Sequence, residues 1–409
     1  MENKVQPYCQ SCGKSFDILT YLRRCPVCGG LIFFRYPPGT TLNFHEGRSI
    51  WKFRKLLPLP EGFEPVSLGE GGTSLVESSI EEDLFLKNEW LNPTGSVKDR
   101  AMSVGISMAK AMGFKAALNA SMGSAGLATA AYAARAGMKC AILVPENAPF
   151  TRVAPMILYG AMVIPLQGTI QNALDFVEET CLKLKVFETT THRPSNPYQN
   201  EGTKTIAYEI LEQLELAPDW IFVPRASGGT LAGIHRGFLE LFKMGLVDKI
   251  PKFVACELKA LNTFELALKT GAKTEAELRE IASEMDESIE TMGVKLAHAY
   301  PVDGVEALQA IRDSEGTAVS LSDEELLEAL KLLAKKDGIF VEPSSAAALA
   351  GFLRLRSVGL VKEGEKAVLI LTGSGFRELQ TITPDLSSVL QAYDTHQATS
   401  LLEEFLANG

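Results

Sequence analysis

This chain of 409 residues lacks several features, and each absence removes a class of function. It has no basic tract and no RNA-reading motif, and its formal net charge is −10, so nucleic acid is not expected as a partner. No apolar run approaches the ~20 residues of a membrane-spanning helix, which argues against a membrane partner. The opening Met1-Glu2-Asn3-Lys4 leads into polar residues rather than an apolar signal core, so a cytoplasmic location is expected. Internal repeats and low-complexity linkers are missing too. What remains is 46% hydrophobic and 22% charged, the balance of a folded globular chain of two or three domains.

The cysteines number seven, and four of them form two Cys-x-x-Cys pairs. Cys9-Gln10-Ser11-Cys12 and Cys25-Pro26-Val27-Cys28 stand twelve residues apart, the pattern of a zinc ribbon in which two knuckles aim four thiolates at one tetrahedral ion. Gly13 and Gly29-Gly30 follow the pairs, where knuckles need relaxed torsions. Four thiolates leave no open coordination position, so a Zn2+ held by Cys9, Cys12, Cys25 and Cys28 is expected to be structural. Cys140, Cys181 and Cys256 lie in or beside apolar runs and read as inert core thiols.

Beyond the ribbon, short apolar strands alternate with helical patterns. Strands are predicted at 84–87, 116–120, 139–144, 162–166, 220–223, 252–257 and 367–372. Helices are predicted at 98–112, 125–136, 171–184 and 201–214, with a leucine-spaced terminal helix over 387–408. Repeated βα units of this kind predict an α/β fold: two open, mostly parallel sheets with helices on both faces, preceded by the small N-terminal zinc ribbon. Domains are expected at 1–36 (ribbon), 37–90 with 204–409 (large α/β) and 91–203 (small α/β). An aromatic-basic helix is predicted from Ile50, and Gly69-Glu70-Gly71-Gly72-Thr73 reads as a plain turn.

Ligands of such sheets sit at the carboxyl ends of strands, and four segments there carry chemistry. Leu91-Asn92-Pro93-Thr94-Gly95-Ser96-Val97-Lys98-Asp99-Arg100 is a turn-rich loop that delivers Lys98 onto the first turn of a helix, with Ser96 as its expected N-cap. The positive end of the helix dipole disfavours the ammonium form there, as Schiff-base chemistry needs. Asn119-Ala120-Ser121-Met122-Gly123-Ser124 puts small residues and hydroxyls at a helix start, a grip for a carboxylate or phenolic oxygen. Arg225-Ala226-Ser227-Gly228-Gly229-Thr230 reads as an anion cradle with added charge from Arg225. It is neither Gly-x-Gly-x-x-Gly nor a Walker sequence, so a phosphate monoester on a small cofactor fits better than a dinucleotide or ATP. Leu371-Thr372-Gly373-Ser374-Gly375 places a neutral hydroxyl at a strand end.

Together with Ala130-Ala131-Tyr132-Ala133-Ala134-Arg135-Ala136-Gly137, Glu201-Gly202-Thr203-Lys204-Thr205 and Phe340-Val341-Glu342-Pro343-Ser344-Ser345, these motifs resemble the threonine synthase family, within the tryptophan-synthase-like (fold type II) pyridoxal-phosphate enzymes. The resemblance runs from the ribbon through Gly375. It implies pyridoxal 5′-phosphate as cofactor, Lys98 as the lysine that forms the internal aldimine and shuttles the α-proton, and Ser227, Gly228, Gly229 and Thr230 as the phosphate cup. It also implies Thr372 facing the pyridine nitrogen, where a neutral hydroxyl favours elimination over transamination. Two departures mark this chain. Ser124 stands where the family has an asparagine on the cofactor's phenolic oxygen, with Met122 narrowing the space beside it. Gln199 stands where threonine synthases carry an arginine on the substrate phosphate, and Arg193 is the nearby candidate to replace it. Ser121, Met122, Gly123, Arg193 and Gln199 are therefore the expected substrate contacts. The implied function is elimination or replacement of a β- or γ-substituent on a small amino acid, with or without a phosphoryl group, by a homodimer. Threonine synthase proper on O-phosphohomoserine with water, a β-replacement like that of the related cysteate synthase, and a catalytically silent binding protein on the same fold are the alternatives.

Overall fold

The computed structural model describes residues 4–42, 44, 47–121, 123–167, 170–379 and 395–407. Two units make up the chain, Met1–Arg377 and Glu378–Gly409. In the second, residues 395–407 form one helix, Thr395–Ala407; the rest of the terminal helix expected from 387 lies outside the described residues. No helix among the described residues is long and apolar enough to cross a membrane.

The described residues of the first unit form three sheets. β1 (Gln6–Cys9) and β2 (Ile32–Arg35) pair antiparallel as the N-terminal ribbon. The other strands are β3 (Leu75–Glu77), β4 (Leu84–Lys87), β5 (Ala116–Ala120), β6 (Lys139–Pro145), β7 (Met162–Leu166), β8 (Phe187–Glu188), β9 (Trp220–Pro224), β10 (Lys252–Leu258), β11 (Thr317–Leu321) and β12 (Ala367–Ile370). Six of them follow the order β11-β10-β9-β12-β4-β3, parallel except for the edge pair β3–β4; four follow β7-β6-β5-β8, all parallel. The interior strands read as unbroken apolar runs, Trp-Ile-Phe-Val-Pro in β9 and Ala-Val-Leu-Ile in β12, and every residue of both is buried. Helices cover both faces of a parallel sheet, so no alternation survives in such strands.

Three expectations need correcting. The helix predicted over 201–214 starts earlier and is broken in two, Pro197–Thr203 and Thr205–Leu214. Asn196 caps it by accepting from the Gln199 N–H at 3.3 Å, and Pro197 fills the first-turn position where its missing N–H costs nothing. The strand predicted to 372 ends at Ile370, because the Leu371 and Thr372 carbonyls accept from Trp90 and Val97 instead of a strand partner. Ser96 does not cap a helical N–H from the N-cap position; its hydroxyl accepts from the Lys98 N–H at 3.3 Å while Val97 holds that position.

One buried ionic network sets the entry of the Lys98 helix. The Arg100 guanidinium donates to Glu89 and Glu209 at 2.7 Å, and Lys87 donates to Glu209 at 2.8 Å, all four side chains being fully buried. Burial alone would raise the Glu209 carboxyl, but Arg100 and Lys87 hold it well below the usual range. Two cations and two anions balance, so removing any one leaves a buried charge, at a cost of about 3–5 kcal/mol. The Gly69-to-Thr73 segment, read as a plain turn, only bends at Leu68 and Gly69 and then runs on as irregular chain fixed by its hydrogen bonds. Gly71 donates to Asn92, Gly72 to Glu209, and a Cβ on Gly71 would stand 2.6 Å from Ile50.

Candidate active site

The loop before Lys98 is stitched to the end of β12. Val97 N–H donates to the Thr372 carbonyl at 2.9 Å, and Ser374 N–H donates to the Gly95 carbonyl at 3.0 Å. Gly95 can make this turn because its φ of +79° suits glycine. Asp99 pulls the loop back on itself, accepting from the Thr94 N–H at 3.1 Å and the Thr94 hydroxyl at 2.8 Å. Lys98 thus projects beside the strand end, its Nζ 3.5 Å from the Thr191 hydroxyl. Its pKa is lowered, chiefly by burial, with the Asp303 and Glu342 carboxylates opposing the shift. Desolvation leads here, where the sequence pointed to the helix dipole.

The cradle after β9 forms at the start of the helix Gly229–Lys243. Gly228 has φ +96°, and a Cβ on it would lie 2.9 Å from the Ala307 Cβ; one on Gly229 would lie 2.6 Å from Asp303 Oδ2. Only glycine leaves the concavity open. The first-turn N–H groups are the unpaired donors of any helix start, and the Ser227 and Thr230 hydroxyls flank them. These donors, this glycine-lined hollow and the nearby desolvated lysine fit a phosphate monoester bearing an aldehyde. Asp303 was not foreseen. Its carboxylate accepts from the Ser227 hydroxyl at 3.0 Å and from the Arg193 N–H at 2.8 Å. Arg225 does not add charge to the cradle as expected: fully buried, it donates to Glu257 at 2.6 Å and to the carbonyls of His298 and Leu261.

The loop after β5 faces a different neighbourhood. Ser121 Oγ accepts from the Gly123 N–H at 3.2 Å, and Ser124 begins the helix Ser124–Ala136; Met122 lies outside the described residues. Lys295 Nζ and Arg377 Nη1 both donate to Ser124 Oγ, at 3.5 and 3.1 Å. Lys295 is also ion-paired to Glu342, whose carboxylate crowds Gly373 next to Thr372.

Two expected substrate contacts are turned elsewhere. The Arg193 guanidinium is buried, donating to Glu306 at 2.8 Å, to the Ile32 carbonyl at 3.2 Å and to Glu201, and it stacks 4.4 Å from the Phe33 ring centroid. That places its charge against the ribbon, away from an incoming anion. Gln199 is fully buried and donates to the Thr189 and Thr190 carbonyls, bracing the backbone before Thr191. Thr191, His192, His298, Asp303 and Lys295 were not foreseen, because they come from loops without a motif; Arg377 ends the short helical turn Gly375–Arg377 just past a quoted motif, and Glu342 stood inside one. His192 and His298 are both shifted down, first by burial, and His298, with His192, Arg225 and Lys98 adding to the effect, falls to about 4, so both rings are neutral at pH 7.

In the ribbon, the sulfurs of Cys9, Cys12, Cys25 and Cys28 all lie within 4.8 Å of one another. The knuckles are twins: Gly13 N–H donates to Cys9 O at 2.9 Å and Gly29 N–H to Cys25 O at 2.8 Å, with φ of +72° and +75°. Gly30 serves by closeness instead, since a Cβ there would meet Cys9 Sγ at 2.8 Å. Cys140, Cys181 and Cys256 are buried, and burial pushes the first two thiols up to about 12.

A family model described as pyridoxal-phosphate dependent enzyme matches residues 66–373. The chain is 34% identical over 391 residues to threonine synthase of Methanocaldococcus jannaschii, covering 90% of this chain and 92% of that one. It is 35% identical over 387 residues to threonine synthase of Methanosarcina acetivorans, covering 91% and 92%. Among solved structures it shares the fold of maize serine racemase, with a TM-score of 0.61 at 21% identity over 82% of this chain and 93% of that one. An O-ureido-L-serine synthase superposes with a TM-score of 0.62 at 21% identity, over 80% and 96%. Strand-end cradle, desolvated lysine and full-length similarity agree: the chain belongs to the threonine synthase family of pyridoxal-phosphate-dependent lyases and synthases.

Proposed function

We propose that this enzyme eliminates or replaces a β- or γ-substituent of an amino acid, with Lys98 moving the proton at the substrate's α carbon. The observation that carries the reading is the placement of the Lys98 amine, desolvated and carried on a loop that two backbone bonds pin to the segment after β12. When bound, pyridoxal phosphate supplies the electron sink for charge developing at that carbon. The N–H groups and hydroxyls of residues 227–230 would hold its phosphate, and the neutral Thr372 hydroxyl would meet its ring nitrogen. Ser121 and Gly123 would take the substrate's α-carboxylate, with Ser124 beside the cofactor. Lys98, with its proton affinity lowered by burial, takes the α-proton as a general base and returns it later.

Lys98→Ala is expected to remove the visible absorption band of the reconstituted enzyme, and to cut turnover by at least about a thousandfold, without changing the fold by circular dichroism. A wild-type chain that binds pyridoxal phosphate but turns over no amino acid would instead favour a silent binding protein. Phosphate release from O-phosphohomoserine against O-phosphoserine separates γ from β departure. We further propose that the four ribbon cysteines hold a structural Zn2+, so chelation lowers the melting temperature. The domain division at 1–36, 37–90 with the chain from 204, and 91–203 is supported by sheet membership, β5 to β8 falling in the small part.

A further inference from the structure

Resting on the reading that the ribbon holds a metal, we propose that metal occupancy of the four-cysteine ribbon sets how tightly the cradle at residues 227–230 binds pyridoxal phosphate, with Arg193 as the positioning residue between them. The ribbon's own cluster is Cys9, Leu22, Cys25 and Ile32, with Phe16 packed against it. Two of these are the expected metal ligands, and so little apolar mass leaves the fold of the ribbon to the metal. The same knuckles place β2. Cys9 pairs with Ile32, Gln10 N–H donates to the Leu31 carbonyl at 3.0 Å, and Cys25 N–H donates to the Gly30 carbonyl at 2.8 Å. Arg193 rests on β2 in turn: its guanidinium donates to the Ile32 carbonyl and lies over the Phe33 ring, and Arg236 stands 5.1 Å from the same ring centroid. The Arg193 guanidinium also donates to Glu306, with which Arg236 pairs as well. Glu306 is on the first turn of the helix Gly304–Asp313, and that turn walls the cradle. A Cβ on Gly228 would meet Ala307, the residue after Glu306, and Asp303 N–H donates to the Ser227 carbonyl at 2.9 Å. Arg193 N–H closes the path on Asp303 Oδ1 at 2.8 Å. One residue thus joins the metal-ordered strand to the wall of the phosphate site. Loss of the metal frees the Ile32 carbonyl and the Phe33 ring to shift, and the turn at 303–307 loses that support. Phe34 packs on Tyr198 with ring centroids 5.3 Å apart, which keeps β2 tethered and the body folded. Linkage makes the effect mutual: cofactor in the cradle tightens the metal by the same factor that the metal tightens the cofactor.

The test is a coupling measurement on the full chain with its thiols reduced. Pyridoxal phosphate is titrated, following the visible band, into protein loaded with Zn2+ and into protein stripped by a chelator that is then dialysed away, with metal content and circular dichroism recorded for both. Stripping is expected to weaken the cofactor by about five- to fiftyfold. In the reverse direction, equilibrium transfer of Zn2+ from the ribbon to a chelating dye should be disfavoured by the same factor once cofactor fills the cradle. Arg193→Gln with Zn2+ bound should hold the cofactor as weakly as the stripped chain does and lose the response to metal in both directions. A lower melting temperature with that response intact would overturn the role given to Arg193. If Arg193→Gln does not fold, Phe33→Ala decides by the same comparison; if stripping unfolds the chain, the dye transfer decides. A reduced chain that holds no Zn2+ overturns the ribbon reading, and one that shows no visible band with pyridoxal phosphate overturns the reading of the reaction, each taking this inference with it. A Zn2+-loaded, cofactor-binding chain in which neither ligand alters the affinity of the other overturns this inference alone.

Discussion

The loop after β9 and the loop after β5 are built alike, each running from a buried parallel strand through small hydroxyl and glycine residues into the first turn of a helix. Their surroundings differ in charged neighbours and in fit. The β9 loop is tightly enclosed, with Gly228 in the left-handed region against Ala307 and the Asp303 carboxylate bonded to Ser227. At the β5 loop, Gly123 has only Ser121 Oγ nearby, 3.9 Å from a Cβ built there, and the neighbours are Lys295 and Arg377. A rigid cradle suits a resident group of one shape. An open one with cationic neighbours suits a substrate that enters and leaves. On the proposed reading the same local recipe serves two tasks, and the surroundings of each loop come from segments far away in the chain.

The comparison can be broken in several ways. The largest effect should come from Lys98, whose amine feels both the Asp303 and the Glu342 carboxylate. A lysine at its ordinary value of 10.5 is free of its proton about once in a thousand at pH 7.5. Burial lowers the value, so the proton leaves at lower pH and the reactive amine is present earlier in a titration. The rate of imine formation with pyridoxal phosphate in stopped flow should rise with pH and level off below 10.5. A midpoint at or above that value would remove the desolvated site. Next, Gly228→Ala should weaken cofactor binding by about tenfold or more, since a strained left-handed residue costs about 1–3 kcal/mol. Gly123→Ala, at φ −114° and in open space, should change cofactor affinity by less than about twofold. Equilibrium titration of the visible band measures both, and equal losses would erase the contrast in rigidity. The smaller, opposite effect is expected from Asp303→Asn. It takes a negative charge from the edge of the β9 cradle and should tighten pyridoxal phosphate by a few fold; weaker binding would mean that Asp303 orders the cradle more than it repels the ligand.

Much of this was legible beforehand. Every strand assigned from the sequence appears, because apolar runs bounded by turns are local signals; β3 (Leu75–Glu77) and β8 (Phe187–Glu188) escaped because they are too short, and β11 (Thr317–Leu321) because its pattern, Thr-Ala-Val-Ser-Leu, is mixed. The knuckle glycines were likewise readable, since backbone torsion demands are set by neighbours in the chain. Arginine roles were not. Arg193 and Arg225 stand beside promising motifs, yet a guanidinium on a long stem goes where carboxylates and carbonyls receive it, and Glu306, Glu257 and Ile32 lie far off in sequence.

Sequence alone determined the strand-loop-helix units, the four-thiolate ribbon and the lysine on its loop, because periodicity, glycine placement and cysteine spacing act over a few residues. Tertiary structure alone decided the charge at each loop. It brought Asp303 to one and Lys295 with Arg377 to the other, and it sealed Arg100, Glu89, Lys87 and Glu209 into a balanced, fully buried network. Electrostatic pairing depends on distance through space and on shared burial, and neither quantity is written along a single segment.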